Sequence, residues 1–183
     1  MSGMRTADAG VRLWWPWLLV SAAVIAADQL AKSMVESALH AGEQRAITGF
    51  LSVVLTYNAG AAFSFLADAS GWQRYLFTAI ALAAAALIVW LLRRGGNRLY
   101  CAALSLILGG ALGNLWDRVT LGKVVDFLLV HDYLPFSGRL AARFDPFPAF
   151  NLADSALTVG VVLLILDSFR QRRTDRTTVT DNR

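Results

Sequence analysis

LYCAALSLILGGALGNLWDRVTLGKVVDF, Leu99 to Phe127, changes character half-way along its length. Leu99 to Leu112 is a membrane-grade apolar run. It closes on Asn114, Asp117 and Arg118, and Asp126 follows a Thr-Leu-Gly turn. On a helix Asn114 and Arg118 are one turn apart and share a face, while Gly109 and Gly113 repeat that spacing, so a smooth packing face ends in polar groups. Arginine and aspartate at a membrane-helix end commonly do no more than snorkel to headgroups. What argues for more is a second acidic cluster, FNLADS, Phe150 to Ser155, at the start of another apolar run.

The whole chain supports the membrane reading. Its 183 residues are 56% hydrophobic and only 16% charged, with a mean hydropathy of +0.50, whereas a soluble domain has roughly a quarter of its residues charged. The single cysteine, Cys101, excludes an internal disulfide framework and lies in an apolar run, where packing is its expected role. His40 and His131 show no metal-ligand spacing, and no P-loop, GxGxxG or GxSxG stretch is present, so neither a metal nor a cofactor is expected. A net charge of +4 could suggest nucleic acid, but the positions of the charges point elsewhere. Arg5 and Arg12 precede the first apolar run, Arg93, Arg94 and Arg98 crowd a short turn, and five more arginines follow Phe169. The positive-inside rule puts those three segments in the cytoplasm.

Four spans result, at about residues 13–35, 72–92, 99–116 and 151–169, with outer segments 36–71 and 117–150 and cytoplasmic tails 1–12 and 170–183. The expected fold is a mainly α four-helix membrane bundle forming one domain. A small extramembrane β-sheet and a short interfacial helix are expected on its outer side. The first run is too long for a cleavable leader and is interrupted by Asp28, Gln29 and Lys32, with Trp14, Trp15 and Trp17 as an interfacial belt. Asp28 lies roughly 21 Å along that helix, in its outer half, and is spaced to pair with Lys32, which favours a structural ion pair. GFLSVVLTYN reads as strand, and NAGAAFSFL, Asn58 to Leu66, as a turn and an interfacial helix with an apolar edge of Phe63, Phe65 and Leu66. Ser64 has no neighbouring base in sequence, which argues against a serine nucleophile. VVDFLLV reads as a strand carrying Asp126, and Asp154 sits in the first turn of the fourth span, where a helix N-terminus favours negative charge.

Ionisable residues inside a bilayer are costly and face the bundle interior. By the crossing count Asp28, Lys32, Asn58, Asn114, Arg118, Asp126, Asn151 and Asp154 all fall at the outer rim. Asp126 and Asp154, from different elements, supply the ingredients of an aspartic dyad, in which like charges resist double ionisation and one proton is shared. The asparagines could hold a peptide backbone, and Arg118 could balance negative charge.

DQxxK (Asp28 to Lys32), YNxGAAFS (Tyr57 to Ser64), GGALGNLxDRxxxGxVVDF (Gly109 to Phe127) and FNxADS (Phe150 to Ser155), in that order, strongly resemble the lipoprotein signal peptidases, or signal peptidase II. The resemblance covers roughly residues 14–169. It implies that Asp126 and Asp154 are the catalytic pair and that Asn58, Asn114, Asn151 and Arg118 line the site. Gly60, Ala61 and Phe63, with substrate contact expected on the apolar edge, and the ion pair of Asp28 and Lys32 are the further residues expected to support the site or bind substrate. The resemblance further implies a diacylglyceryl-modified prolipoprotein as substrate, cut just before the lipidated cysteine, in the cytoplasmic (inner) membrane of a bacterium. Membrane lipids and globomycin-type cyclic peptide inhibitors are the other partners it implies. HDYLPFSGRLAARFDPFPAF, between the two aspartates, is longer than the family pattern. A small ion-coupled transporter is the rival reading, but it predicts polar groups at mid-depth and internal repeats or broken helices, neither of which is visible. A structural scaffold leaves the clustering of acids at one rim unexplained.

Overall fold

The computed structural model describes residues 13–59, 72–132 and 145–180, apart from the side chains of Gln73 and of residues 172–180. The expected interfacial helix, with Gly60, Ala61, Phe63, Ser64, Phe65 and Leu66, lies outside the described residues. Four helices, α1 (Pro16–Ala38), α2 (Trp72–Arg94), α3 (Arg98–Thr120) and α4 (Leu152–Thr180), each contain a stretch long and apolar enough to cross a membrane. At one end of the helices lies a three-stranded antiparallel sheet of β1 (Gln44–Ala46), β2 (Leu51–Asn58) and β3 (Val124–Val130), in the order β1-β2-β3. The helices outrun the apolar stretches expected from sequence. The backbone ladder of α3 continues through Trp116 to Thr120, and that of α4 past Phe169 into the basic tail, because helical hydrogen bonding does not stop where hydropathy does. At the other end α1 starts at Pro16, whose fixed φ suits the first helical position.

The bundle is built around α3. Of its apolar span 56% is buried, against 17% or less in the other three. Glycines make this packing close. A Cβ on Gly109 would stand 2.7 Å from Val24 Cβ and 2.9 Å from the Ser21 carbonyl of α1, and one on Gly110 would overlap the Ala153 carbonyl of α4. Backbones this near allow Ser21 Oγ to donate to the Ser105 carbonyl at 2.8 Å. Outward faces carry Leu19, Leu30, Leu82, Leu87, Ile165 and Leu166, a coat that suits hydrocarbon and would be costly in water.

The sheet sits at the end of the bundle formed by the C-termini of α1 and α3 and the N-terminus of α4. Leu39, Leu55 and Val125 bury together there, joined by Val35 and Tyr57. β3 follows α3 after a turn through Gly122, whose φ of 78° suits glycine. β2 pairs with β3 so that Thr56 stands opposite Asp126 and Asn58 opposite Val124. The chain entering α4 is bound to β3 as well: Phe127 and Leu128 N–H donate to the Phe150 carbonyl at 3.0 and 2.8 Å, and Phe150 N–H returns a bond to Leu128. Asn151 and Asp154 are thereby fixed beside Asp126.

The opposite end of the bundle is basic. Arg94 stacks over Trp90 at 3.6 Å and Arg93 lies over Trp14 at 5.8 Å. Asn97 caps α3 by accepting from Tyr100 N–H at 3.0 Å, and its amide donates to the buried Asp167 of α4 at 2.7 Å, tying the turn to the last helix.

Candidate active site

Two carboxylates meet over one asparagine. Asn151, fully buried, caps α4: its Oδ1 accepts from Asp154 N–H at 2.9 Å, while its own N–H donates to Asp154 Oδ2 at 3.2 Å. This is a reciprocal capping box, with Asp154 in the place usually held by Glu or Gln. The same residue's Nδ2 donates to Asp126 Oδ1 at 2.8 Å, and also reaches the Val125 carbonyl and Asn114 Oδ1, each at 3.1 Å. Asp126 Oδ2 accepts from Asn58 Nδ2 at 3.1 Å, and Asp154 Oδ1 from Asn114 Nδ2 at 2.7 Å. Every one of these partners is a neutral amide. The sequence suggested that the asparagines could hold a peptide backbone; in the folded chain their N–H groups are engaged with the two carboxylates, so they orient the pair.

Behind the pair lies a second acidic cluster with a cation at its centre. Lys32 Nζ is 2.6 Å from Asp28 Oδ2 and 2.8 Å from Asp117 Oδ2, and it donates to Asn114 Oδ1 at 3.2 Å, all almost fully buried. Because an ammonium can only donate, it must face the amide oxygen of Asn114, which leaves Nδ2 for Asp154. Asp28 Oδ1 accepts from Ala153 N–H at 2.9 Å, one of the orphan donors in the first turn of α4. Asp117 Oδ2 accepts from Val125 N–H at 3.1 Å, and its Oδ1 from Gln29 Nε2 at 2.8 Å. Asp28 and Asp117 thus fix the elements that carry Asp154 and Asp126. Asp117 and Gln29 join the site, beyond the residues expected from sequence. Their signal was the position of Asp117 one turn after Asn114 and of Gln29 next to Asp28.

Arg118 is placed near the pair without bonding to it. Its Nη1 donates to the Asn114 carbonyl at a long 3.4 Å, its guanidinium lies 5.4 Å from the Phe77 ring, and no ion pair within 4.0 Å joins it to Asp126 or Asp154. It acts on them through space. Gly60, Ala61 and Phe63 are outside the described residues. A third constellation, Ser52 Oγ 2.8 Å from His131 Nε2 and His131 Nδ1 2.8 Å from Asp132 Oδ2, has the distances of a serine triad. Yet Ser52 is fully buried and its Oγ also accepts from Gln44 at 2.9 Å, so no substrate carbonyl reaches it.

Burial, and next the charge of Asp154, push the Asp126 carboxyl up from 3.8 to about 6, against the opposing hydrogen bonds from Asn58 and Asn151. A buried carboxylate held by amides beside a second carboxylate is thus poised to keep a proton near neutrality.

The family description for signal peptidase (SPase) II matches residues 20–170. The chain belongs to the signal peptidase II family. Signal peptidase II is an aspartic endopeptidase type, and this member is accordingly a multi-pass membrane peptidase of the bacterial inner membrane. It is 53% identical over 166 residues to the lipoprotein signal peptidase of Pseudomonas fluorescens, covering 89% of this chain and 91% of that one. With the lipoprotein signal peptidase of Paraburkholderia phytofirmans it shares 51% over 162 residues, 88% of both chains. Among solved structures, a bacterial membrane enzyme determined at 2.3 Å aligns with a TM-score of 0.71 at 30% identity, covering 86% of this signal peptidase II chain and 89% of that chain. Nothing in these likenesses favours a transporter.

Proposed function

We propose that Asp126 and Asp154 are the catalytic pair of this signal peptidase II, and that it removes the signal peptide from diacylglyceryl-modified prolipoproteins by cutting just before the lipidated cysteine. The observation that carries the assignment is the contrast in partners: the buried lysine bonds to Asp28 and Asp117, while Asp126 and Asp154 are held by amides. With no cation bonded between them among the described residues, the two carboxyls hold one proton jointly. The ionised carboxyl takes a proton from water as its oxygen attacks the scissile carbonyl carbon, and the protonated one donates to the carbonyl oxygen. The tetrahedral intermediate collapses as a carboxyl proton passes to the leaving nitrogen and the C–N bond breaks. Asn58, Asn114 and Asn151 keep the pair oriented, and Arg118 offsets the remaining negative charge from a distance.

Both termini are assigned to the cytoplasm and the pair to the outer rim, supported by the arginines at the opposite bundle end and the positive-inside rule. A substrate then arrives in the membrane plane, anchored by its signal helix and by acyl chains worth about 0.8 kcal/mol per buried methylene. Globomycin-type cyclic peptides would compete for the same position. Purified enzyme should cut a diacylated precursor many-fold faster than the same precursor without lipid in one detergent. Equal rates would refute recognition of the lipid.

A further inference from the structure

The end of the bundle remote from the carboxylates contains a partly enclosed cavity of about 240 Å³, lined by Leu13, Trp14, Trp17, Leu92, Gly95, Gly96, Arg98 and Cys101. It lies where the N-terminus of α1, the C-terminus of α2 and the start of α3 converge. Its floor is apolar and deep: Leu92 is fully buried and Cys101 almost so, within the cluster that also includes Leu104 and Leu108. One wall is left low at Gly95, where a Cβ would meet nothing within 4 Å, whereas the Tyr100 ring fills the space beside Gly96.

The mouth has the opposite character. Arg98 lines it, and Arg93 and Arg94 flank it, their guanidinium groups laid over Trp14 and Trp90 as expected for cations at a membrane interface. No acidic side chain is among the described lining residues. Asp167, the acid tied to the neighbouring turn, has its two oxygens engaged by Asn97 at 2.7 Å and Gln171 at 2.6 Å. A positive mouth over an apolar, aromatic floor, at headgroup depth, calls for a ligand with an anionic head and a hydrocarbon body. Neither a soluble anion nor a neutral lipid satisfies both halves.

We propose that this cavity is a binding site for one anionic glycerophospholipid of the surrounding leaflet, its phosphate at Arg98 and Arg93 and the upper part of an acyl chain against Trp17, Leu92 and Cys101. The site is separate from the peptidase centre and serves to seat the α2–α3 turn, which through Asn97 also holds α4. Basic clefts between helices at the membrane surface are suited to such headgroups.

The test uses the full chain reconstituted in phosphatidylcholine vesicles, titrated with brominated phosphatidylglycerol or brominated phosphatidylcholine while tryptophan fluorescence is read. The component lost in Trp14→Phe/Trp17→Phe should be half-quenched at a several-fold lower mole fraction of the anionic lipid. Arg93→Gln/Arg98→Gln should equalise the two lipids while cleavage of a lipidated precursor confirms an intact fold. Equal quenching by both lipids in the unaltered chain would overturn the proposal, as would a headgroup preference that survives in the double arginine variant. Should the double variant fail to fold, Arg98→Lys, which keeps the charge, should retain the preference and Arg98→Gln alone should weaken it; identical behaviour of those two would also overturn it.

Discussion

Two pairs of aspartates lie in contact with the same asparagine network, and they differ in what stands between them. Asp28 and Asp117 have Lys32 between them, within 2.6 and 2.8 Å, and spend their remaining oxygens on the Ala153 and Gln29 N–H groups. Asp126 and Asp154 have Asn151 between them and, among the described residues, only amide donors bonded to them. The first pair shares one bonded cation and holds the backbone of α4 and β3 in place. The second has no bonded countercharge among the described residues, and burial raises the Asp126 carboxyl, which is why we propose that this pair keeps a proton to move. Residue type and depth do not separate structure from chemistry here; the identity of the group between the carboxylates does.

Breaking the first pair should have the largest effect on the fold. Lys32→Met would leave two buried carboxylates without their cation, a loss of about 3–5 kcal/mol, and should show as a collapse of thermal stability in detergent. It would also release the Asn114 oxygen that Lys32 fixes, so any folded remainder should turn over poorly.

The second pair should behave in the opposite sense. A carboxyl raised from 3.8 to about 6 binds its proton more tightly folded than unfolded. Its stabilising contribution is therefore complete below about pH 4 and is lost as pH rises through 6, by up to about 3 kcal/mol. Asp126→Asn removes that slope. Melting temperatures measured from pH 4 to 8 should show the variant gaining on the unaltered enzyme as pH rises, and parallel curves would count against a shared proton.

The smallest effect belongs to Asn58, whose bond to Asp126 favours the ionised form. In Asn58→Ala the descending alkaline limb of kcat/KM should move to higher pH, by less than about one unit. A limb that moves down would mean that Asn58 supports the protonated form instead.

Much of this contrast was legible in the sequence, for reasons that can be named. The apolar runs and arginine positions determine four crossings, and the four-residue spacing of Asp28 and Lys32 makes their pairing a local matter of helix geometry. VVDFLLV and FNLADS announce their elements by composition. What was not legible depends on distant contact. Gln44–Ala46 is a short, polar, exposed strand that exists because β2 is beside it. Asp117 looked like one more polar residue at a helix end, and only the fold brings Lys32, Gln29 and Val125 N–H to it. Gly109 and Gly113 stood out by spacing, whereas the closest helix approach is at Gly110, which the spacing rule skips.

Under the proposed assignment Asp126 and Asp154 carry the reaction while the other carboxylate pair carries the fold. Its most direct test is cleavage of a purified lipid-modified precursor by Asp126→Asn and Asp154→Asn, each verified as folded, beside Ser52→Ala, Ser64→Ala and Cys101→Ala. Each asparagine variant should lose at least about 10²–10⁴-fold in turnover, and the serine and cysteine variants should remain active. Substantial turnover by either asparagine variant, or its loss in a folded serine variant, would contradict it.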